Sequence, residues 1–240
     1  MKKLVAYITT GFPDKHFTVD LINSLKENGV DAIELGIPFS DPVADGPVIQ
    51  EVNKRALERG YKIQDTFEVS EKVAKNIDTY WMGYFNNFYH KGYDFMVDKA
   101  KEYGVKGFII PDLPYEEAVI YEEKFPLISF VAPTDSKERI KEILKNPKEF
   151  IYLVAYAGIT GAEKKEDLSE IISYIKEITS TPLYIGFGVN EKTAREKAQG
   201  VDGVIVGSAF IKVLLEDISN NEKIKKISQM AKNIKEAINS

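Results

Sequence analysis

Short apolar runs alternate with longer stretches in which apolar residues recur every three or four positions, and this pattern holds along the whole chain. Short runs bounded by Gly, Pro or Asp read as buried strands, and the longer periodic stretches as amphipathic helices. The pattern predicts eight strands, over 3–9, 31–35, 80–84, 107–111, 127–131, 150–154, 183–186 and 203–206. Helices are predicted between them, over 18–28, 48–59, 66–75, 95–103, 115–124, 137–145, 168–178, 191–199 and 209–216, with a last helix over 221–238. In that last segment Ile224, Ile227, Met230, Ile234 and Ile238 fall on one helical face, so it is expected to pack against the body. Strands alternating with helices pair in parallel through right-handed crossovers. Eight such units, with no GxGxxG turn after the first strand, predict an α/β fold: a single (β/α)8 barrel spanning 1–240, with additional helices after strand 2 and at the C-terminus.

Composition narrows the chemistry. The 240 residues suit one barrel, which typically needs roughly 250. With no cysteine, disulfides and thiolate metal sites are excluded, and the two histidines, His16 and His90, have no neighbour at metal-ligand spacing. No metal site is therefore expected. A net charge of −5 argues against a nucleic-acid surface. No run reaches the ~18–20 apolar residues of a membrane span. The start, MKKLVAYITTGFPD, has too short an apolar run for a signal peptide, and the protein is expected to be cytoplasmic.

One spacing stands out. About 45 residues separate strands two and three, and long connections in compact domains are usually functional. This one begins ELGIPFSDPVADGP, with three acids held among three prolines and two glycines. Alternation in AIEL turns Ile33 and Leu35 to the helices and Ala32 and Glu34 into the barrel. Glu34 then sits at the C-terminal strand end, where this fold gathers its active sites. It is either a desolvated general acid/base or a solvated strand-end glutamate. Asp45, before Gly46-Pro47, fits either chemistry or a helix cap, and Asp41 fits a turn.

Strands seven and eight end in IGFGVN and VGSAF. Gly186, Gly188, Gly207 and Ser208 there match the place where this fold binds phosphate, beside a helix N-terminus. Tyr7, Met82, Tyr84, Ile109 and Phe187 lie at other strand ends and would wall a flat, apolar substrate body. The Gly-rich YAGITGAEKKED after strand six is either a mobile lid or an ordinary exposed loop.

Taken together, ELGIPFSDPVADGPVIQ closely resembles the signature of the tryptophan synthase alpha subunit family, and the likeness continues through TTGFPD, PDLPYEE, AGITGA, GFGV and VGSA. The resemblance implies retro-aldol cleavage of indole-3-glycerol phosphate to indole and glyceraldehyde-3-phosphate. It also implies a beta-subunit partner, in an alpha2beta2-type complex, that receives the indole. No cofactor is implied for this chain, pyridoxal phosphate being expected only in that partner. By resemblance, Glu34 protonates indole C3 and assists loss of a hydroxyl proton, Asp45 holds the indole N–H, and Tyr152 lines the same pocket with Ile49. Gly161, Gly188, Gly207 and Ser208 match phosphate-binding positions, and Thr160 a lid threonine. Asp41, Pro42, Asn86, Asp112 and Pro114 match surfaces that face the beta subunit. Tyr156 stands where many members carry arginine, so lid contacts made by that side chain do not carry over.

Two rival readings remain on sequence alone. Indole-3-glycerol phosphate synthase is another phosphate-binding barrel, but it uses a lysine acid at a strand end, and no comparable lysine lies within a core run here. A non-catalytic, partner-binding barrel would not need Glu34, Asp45 and the phosphate turns together.

Overall fold

β-Branched and aromatic residues dominate the eight strands, and every strand pairs in parallel with its neighbours. The structure, a computed structural model, describes residues 1–154 and 167–240. In chain order the elements are β1 (Lys3–Thr9), α1 (Lys15–Glu27), β2 (Ala32–Gly36), α2 (Pro47–Glu58), α3 (Ile63–Val73), β3 (Asp78–Met82), α4 (Phe85–Lys91), α5 (Tyr93–Tyr103), β4 (Gly107–Ile109) and α6 (Tyr115–Glu122). They continue with β5 (Ser129–Val131), α7 (Lys137–Ile143), β6 (Ile151–Val154), α8 (Ser169–Ile178), β7 (Leu183–Gly186), α9 (Ala194–Lys197), β8 (Gly203–Val206), α10 (Ser208–Leu214) and α11 (Asn220–Asn239).

The strand order is β4-β3-β2-β1-β8-β7-β6-β5, and the two ends meet. Phe108 pairs with Leu127, the Phe108 amide donates to the Pro126 carbonyl at 2.9 Å, and the Ile128 amide donates to Phe108 at 2.9 Å. The sheet is therefore a closed barrel, as the alternation predicts. Among the described residues no strand edge is left open.

Outside the barrel, Trp81 stacks on Phe108 (5.8 Å between centroids) and Phe67 (5.5 Å), and its indole N–H donates to Ser70 on α3. Helix α11 lies along α1, where the Ser24 and Ser228 hydroxyls meet at 2.8 Å, and it buries Ile227, Ile234 and Ile238 as its periodicity predicts.

The expectation of extra helices only after strand 2 and at the C-terminus needs one correction. A further helix, α4, follows β3, and Tyr84, read as strand, is its N-cap. Its sequence, FNNFYHK, has weak helix propensity, and a distant residue anchors it: the Asp112 carboxylate accepts from the Phe85 amide at 2.8 Å. Local sequence does not carry that contact.

Inside the barrel, tyrosines rest on glycines of the next strand. Tyr7 on β1 crosses Gly36 on β2, Tyr80 crosses Gly107, Tyr152 crosses Gly186, and Tyr184 crosses Gly203. A methyl group on Gly203 would lie 2.7 Å from the Tyr184 ring and 2.8 Å from the Lys3 carbonyl oxygen, which is backbone and cannot swing away. Gly203→Ala is expected to destabilise the protein by about 1–3 kcal/mol of overpacking strain. Urea unfolding checks this, and an unchanged midpoint would contradict it.

Candidate active site

Strand alternation sets the direction of Glu34. Ile33 and Leu35 are fully buried between sheet and helices, and Glu34 is paired in register with the inward Tyr7. The charge of Glu34 acts on the hydroxyl of Tyr152. Tyr152 sits on β6, four strands away and thus across the barrel from β2. Only a side chain pointing into the barrel reaches it.

Glu34 is 3% exposed, and among the described residues no cation pairs with it. Burial, then the nearby Asp45 carboxylate, pushes its pKa up to about 8. It therefore carries its proton at neutral pH. Asp45 is half-buried on the loop after β2, and burial raises it to about 6 against the lowering effect of a Tyr84 hydrogen bond. The two carboxyls thus occupy different environments and titrate in different ranges.

The structure decides what Asp45 does locally. The N-cap of α2 is Gly46, with Pro47 in the first turn and no side-chain cap bond. The capping role is thereby removed. Instead the Tyr84 hydroxyl donates to Asp45 Oδ2 at 2.9 Å and accepts from the Ala44 amide at 3.0 Å. Tyr84, expected as an apolar wall, is the anchor of the acidic loop. It stacks on Phe39 of that loop at 5.2 Å. Phe39 went unnoticed in the sequence, although an aromatic within PFSDP was the available signal.

The other expected wall residues fall in different settings. Met82 and Ile109 are buried at the ends of β3 and β4. Ile49, in the first turn of α2, approaches Gly207 beside Tyr7: a methyl built on Gly207 would lie 3.5 Å from each side chain. Tyr152 is buried and stacks on Phe130 at 4.9 Å. Phe187 is 41% exposed with a φ of 72°, so it stands on a turn and not in a wall.

At the turns expected to take phosphate, Gly188 has a φ of 71°, and its carbonyl accepts from the Thr193 hydroxyl at 2.7 Å. Gly207 is the N-cap of α10, and Ser208 is its first residue. Gly161, Thr160 and Tyr156 lie outside the described residues.

Among the residues expected at a partner surface, Asp41, Asn86, Asp112 and Pro114 are exposed, while Pro42 is buried within the chain. Asp112 also anchors α4. Among the described residues, no group of three or more His, Cys, Asp or Glu side chains could hold a metal ion.

A closed eight-stranded barrel with a desolvated acid at the C-terminal strand ends defines the class of (β/α)8 enzymes. A profile of the family described as "Tryptophan synthase alpha chain" matches residues 1–239. The tryptophan synthase alpha chain of Wolinella succinogenes is 53% identical over 247 residues, covering 100% of this chain and 97% of that one. Among solved structures, the tryptophan synthase subunit alpha of Campylobacter jejuni is 32% identical with a TM-score of 0.86, covering 95% of each chain. A tryptophan synthase structure from M. tuberculosis gives 28% identity and a TM-score of 0.88 over 100% of this chain and 94% of the other. The chain belongs to the tryptophan synthase alpha chain family. Its activity is the family's, cleavage of indole-3-glycerol phosphate to indole and glyceraldehyde-3-phosphate, with the indole passed to a beta subunit.

The raised pKa of Glu34 has a consequence for stability. An acid whose folded-state pKa exceeds its unfolded one holds its proton longer when folded. The stability this adds is complete below about pH 4.5 and is lost as pH rises to about 8. Glu34→Gln is therefore expected to match the wild type near pH 4.5 and to exceed it by a few kcal/mol near pH 9. Denaturant unfolding across that range checks this, and a difference that does not vary with pH would contradict it.

Proposed function

We propose that Glu34 and Asp45 divide the proton chemistry of the cleavage, which makes the chain a carbon–carbon lyase of aldolase type. One observation carries this reading: two carboxyls in one barrel mouth, with no cation paired to either among the described residues, one raised by burial to about 8 and the other to about 6. Protonated Glu34 delivers its proton to indole C3. As the bond from C3 to the glycerol carbon breaks, its electrons stay on the indole. The carboxylate left on Glu34 takes the hydroxyl proton, and that oxygen becomes the aldehyde of glyceraldehyde-3-phosphate. Asp45 accepts the indole N–H. Tyr84 uses Oδ2 of that carboxylate, which leaves Oδ1 for the ligand.

The phosphate goes to the turns of Gly188, Gly207 and Ser208. The first amides of a helix have no acceptor within it, and glycine lets an anion approach them closely. Tyr7, Ile49, Met82, Ile109 and Tyr152 enclose the indole and its chain. No bound cofactor enters these steps, and pyridoxal phosphate belongs to the beta subunit. Exposed Asp41, Asn86, Asp112 and Pro114, with Val43 (80% exposed) and Tyr89 (66% exposed) beside them in sequence, form the docking edge for that subunit. These residues come from the connections after β2, β3 and β4. Among the described residues no helix is long and apolar enough to cross a membrane, and a cytoplasmic location suits a biosynthetic enzyme.

Glu34→Gln is expected to abolish indole release from indole-3-glycerol phosphate while leaving substrate binding within a few-fold of wild type. Steady-state kinetics with equilibrium binding checks both, and full activity in the variant would sink the assignment. Saturating beta subunit is expected to accelerate cleavage at least about tenfold, or about 1.4 kcal/mol of barrier. An unchanged rate would count against the coupling.

A further inference from the structure

Tyr7 enters the site as more than a wall. Its ring begins beside Gly207, at the phosphate turn, where a methyl on that glycine would lie 3.5 Å from Tyr7 Cβ. It ends over Gly36 on the acid-bearing strand, where a methyl would lie 2.5 Å from the hydroxyl. The side chain thus spans the path from the phosphate end to the acid pair, which a glycerol chain must follow. Its hydroxyl accepts a hydrogen bond from the Thr9 hydroxyl at 3.2 Å, and among the described residues it donates to none. The residue is 4% exposed, so this proton has no ready access to bulk water. A phenol buried with its donor uncommitted is poised for a ligand acceptor. Burial, then the charge of Asp45 and, after the opposing Thr9 bond, that of Glu34, holds its pKa well above the usual phenol value, so it stays a donor at any working pH.

We propose that the Tyr7 hydroxyl, oriented by Thr9, donates to the substrate hydroxyl oxygen that Glu34 deprotonates. This rests on the acid-pair reading above. As the hydroxyl proton leaves for Glu34 and the carbon–carbon bond breaks toward the indole, that oxygen carries developing negative charge until the carbonyl forms. A fixed donor stabilises it most in the transition state. Tyr7 keeps its own proton throughout. The residue therefore acts on kcat more than on KM.

The test measures glyceraldehyde-3-phosphate release by the complex with the beta subunit. Tyr7→Phe, which removes one oxygen and keeps the ring on Gly36, is expected to lower kcat about 10- to 100-fold, or about 1.4–2.7 kcal/mol, with KM within about threefold. It should leave unchanged the affinity for a substrate analogue in which that hydroxyl is replaced by hydrogen. Thr9→Val should show a smaller loss of kcat and Thr9→Ser should restore it. That pair carries the test if Tyr7→Phe does not fold. Full kcat in Tyr7→Phe, or equal losses in Thr9→Val and Thr9→Ser, overturns the proposal. Glu34→Gln in the same assay separates the two readings. An inactive Glu34→Gln beside a fully active Tyr7→Phe sinks only the role of Tyr7, whereas an active Glu34→Gln sinks both.

Discussion

A carboxyl group taken out of water must find a counter-charge or keep its proton. Among the described residues no cation pairs with Glu34, and the charge that acts on it is that of another acid, Asp45. Desolvation therefore holds the proton on Glu34 at neutral pH. This depends on the closure of the barrel, because the strands around Glu34 exclude the water that would ionise it. The few hydrogen bonds joining β4 to the residues just before β5 complete that enclosure. In the proposed chemistry the acid at the carbon centre is one glutamate held in a dry position.

The barrel interior around Glu34 is shaped by what lines the strands. Tyrosines laid over glycines bring aromatic faces and hydroxyls inward, into room that a Cβ would fill. The acidic loop is tied to this framework through Tyr84, which holds Asp45 and stacks on Phe39. Prolines limit the loop's backbone, and the single phenol fixes its carboxylate. The barrel holds one acid and the tethered loop the other.

Much of this was legible in the chain. Alternation in AIEL was enough to turn Glu34 inward, because a strand offers only two faces. The eight strands were legible for the same reason, each being a short apolar run with a turn residue at its end. Helix α4 was not, since its residues favour a helix only weakly and one of the bonds at its N-terminus comes from Asp112, 27 residues from Phe85. The attachment of Asp45 to Tyr84 spans 39 residues and leaves no local trace. Tyr7 and Tyr84 looked apolar because periodicity weighs a ring and ignores where its hydroxyl points. The resemblance to a family named the acids, but only the packed barrel explains why one of them stays protonated.

The central claim is that protonation, and it can be observed directly. Carbon-13 NMR of the Glu34 carboxyl, assigned by its loss in Glu34→Gln, follows the titration of this one group. A midpoint near pH 8 that moves downward in Asp45→Asn, where the second negative charge is gone, is the predicted result. A midpoint in the ordinary range of about 4–5, unmoved by Asp45→Asn, would contradict the account.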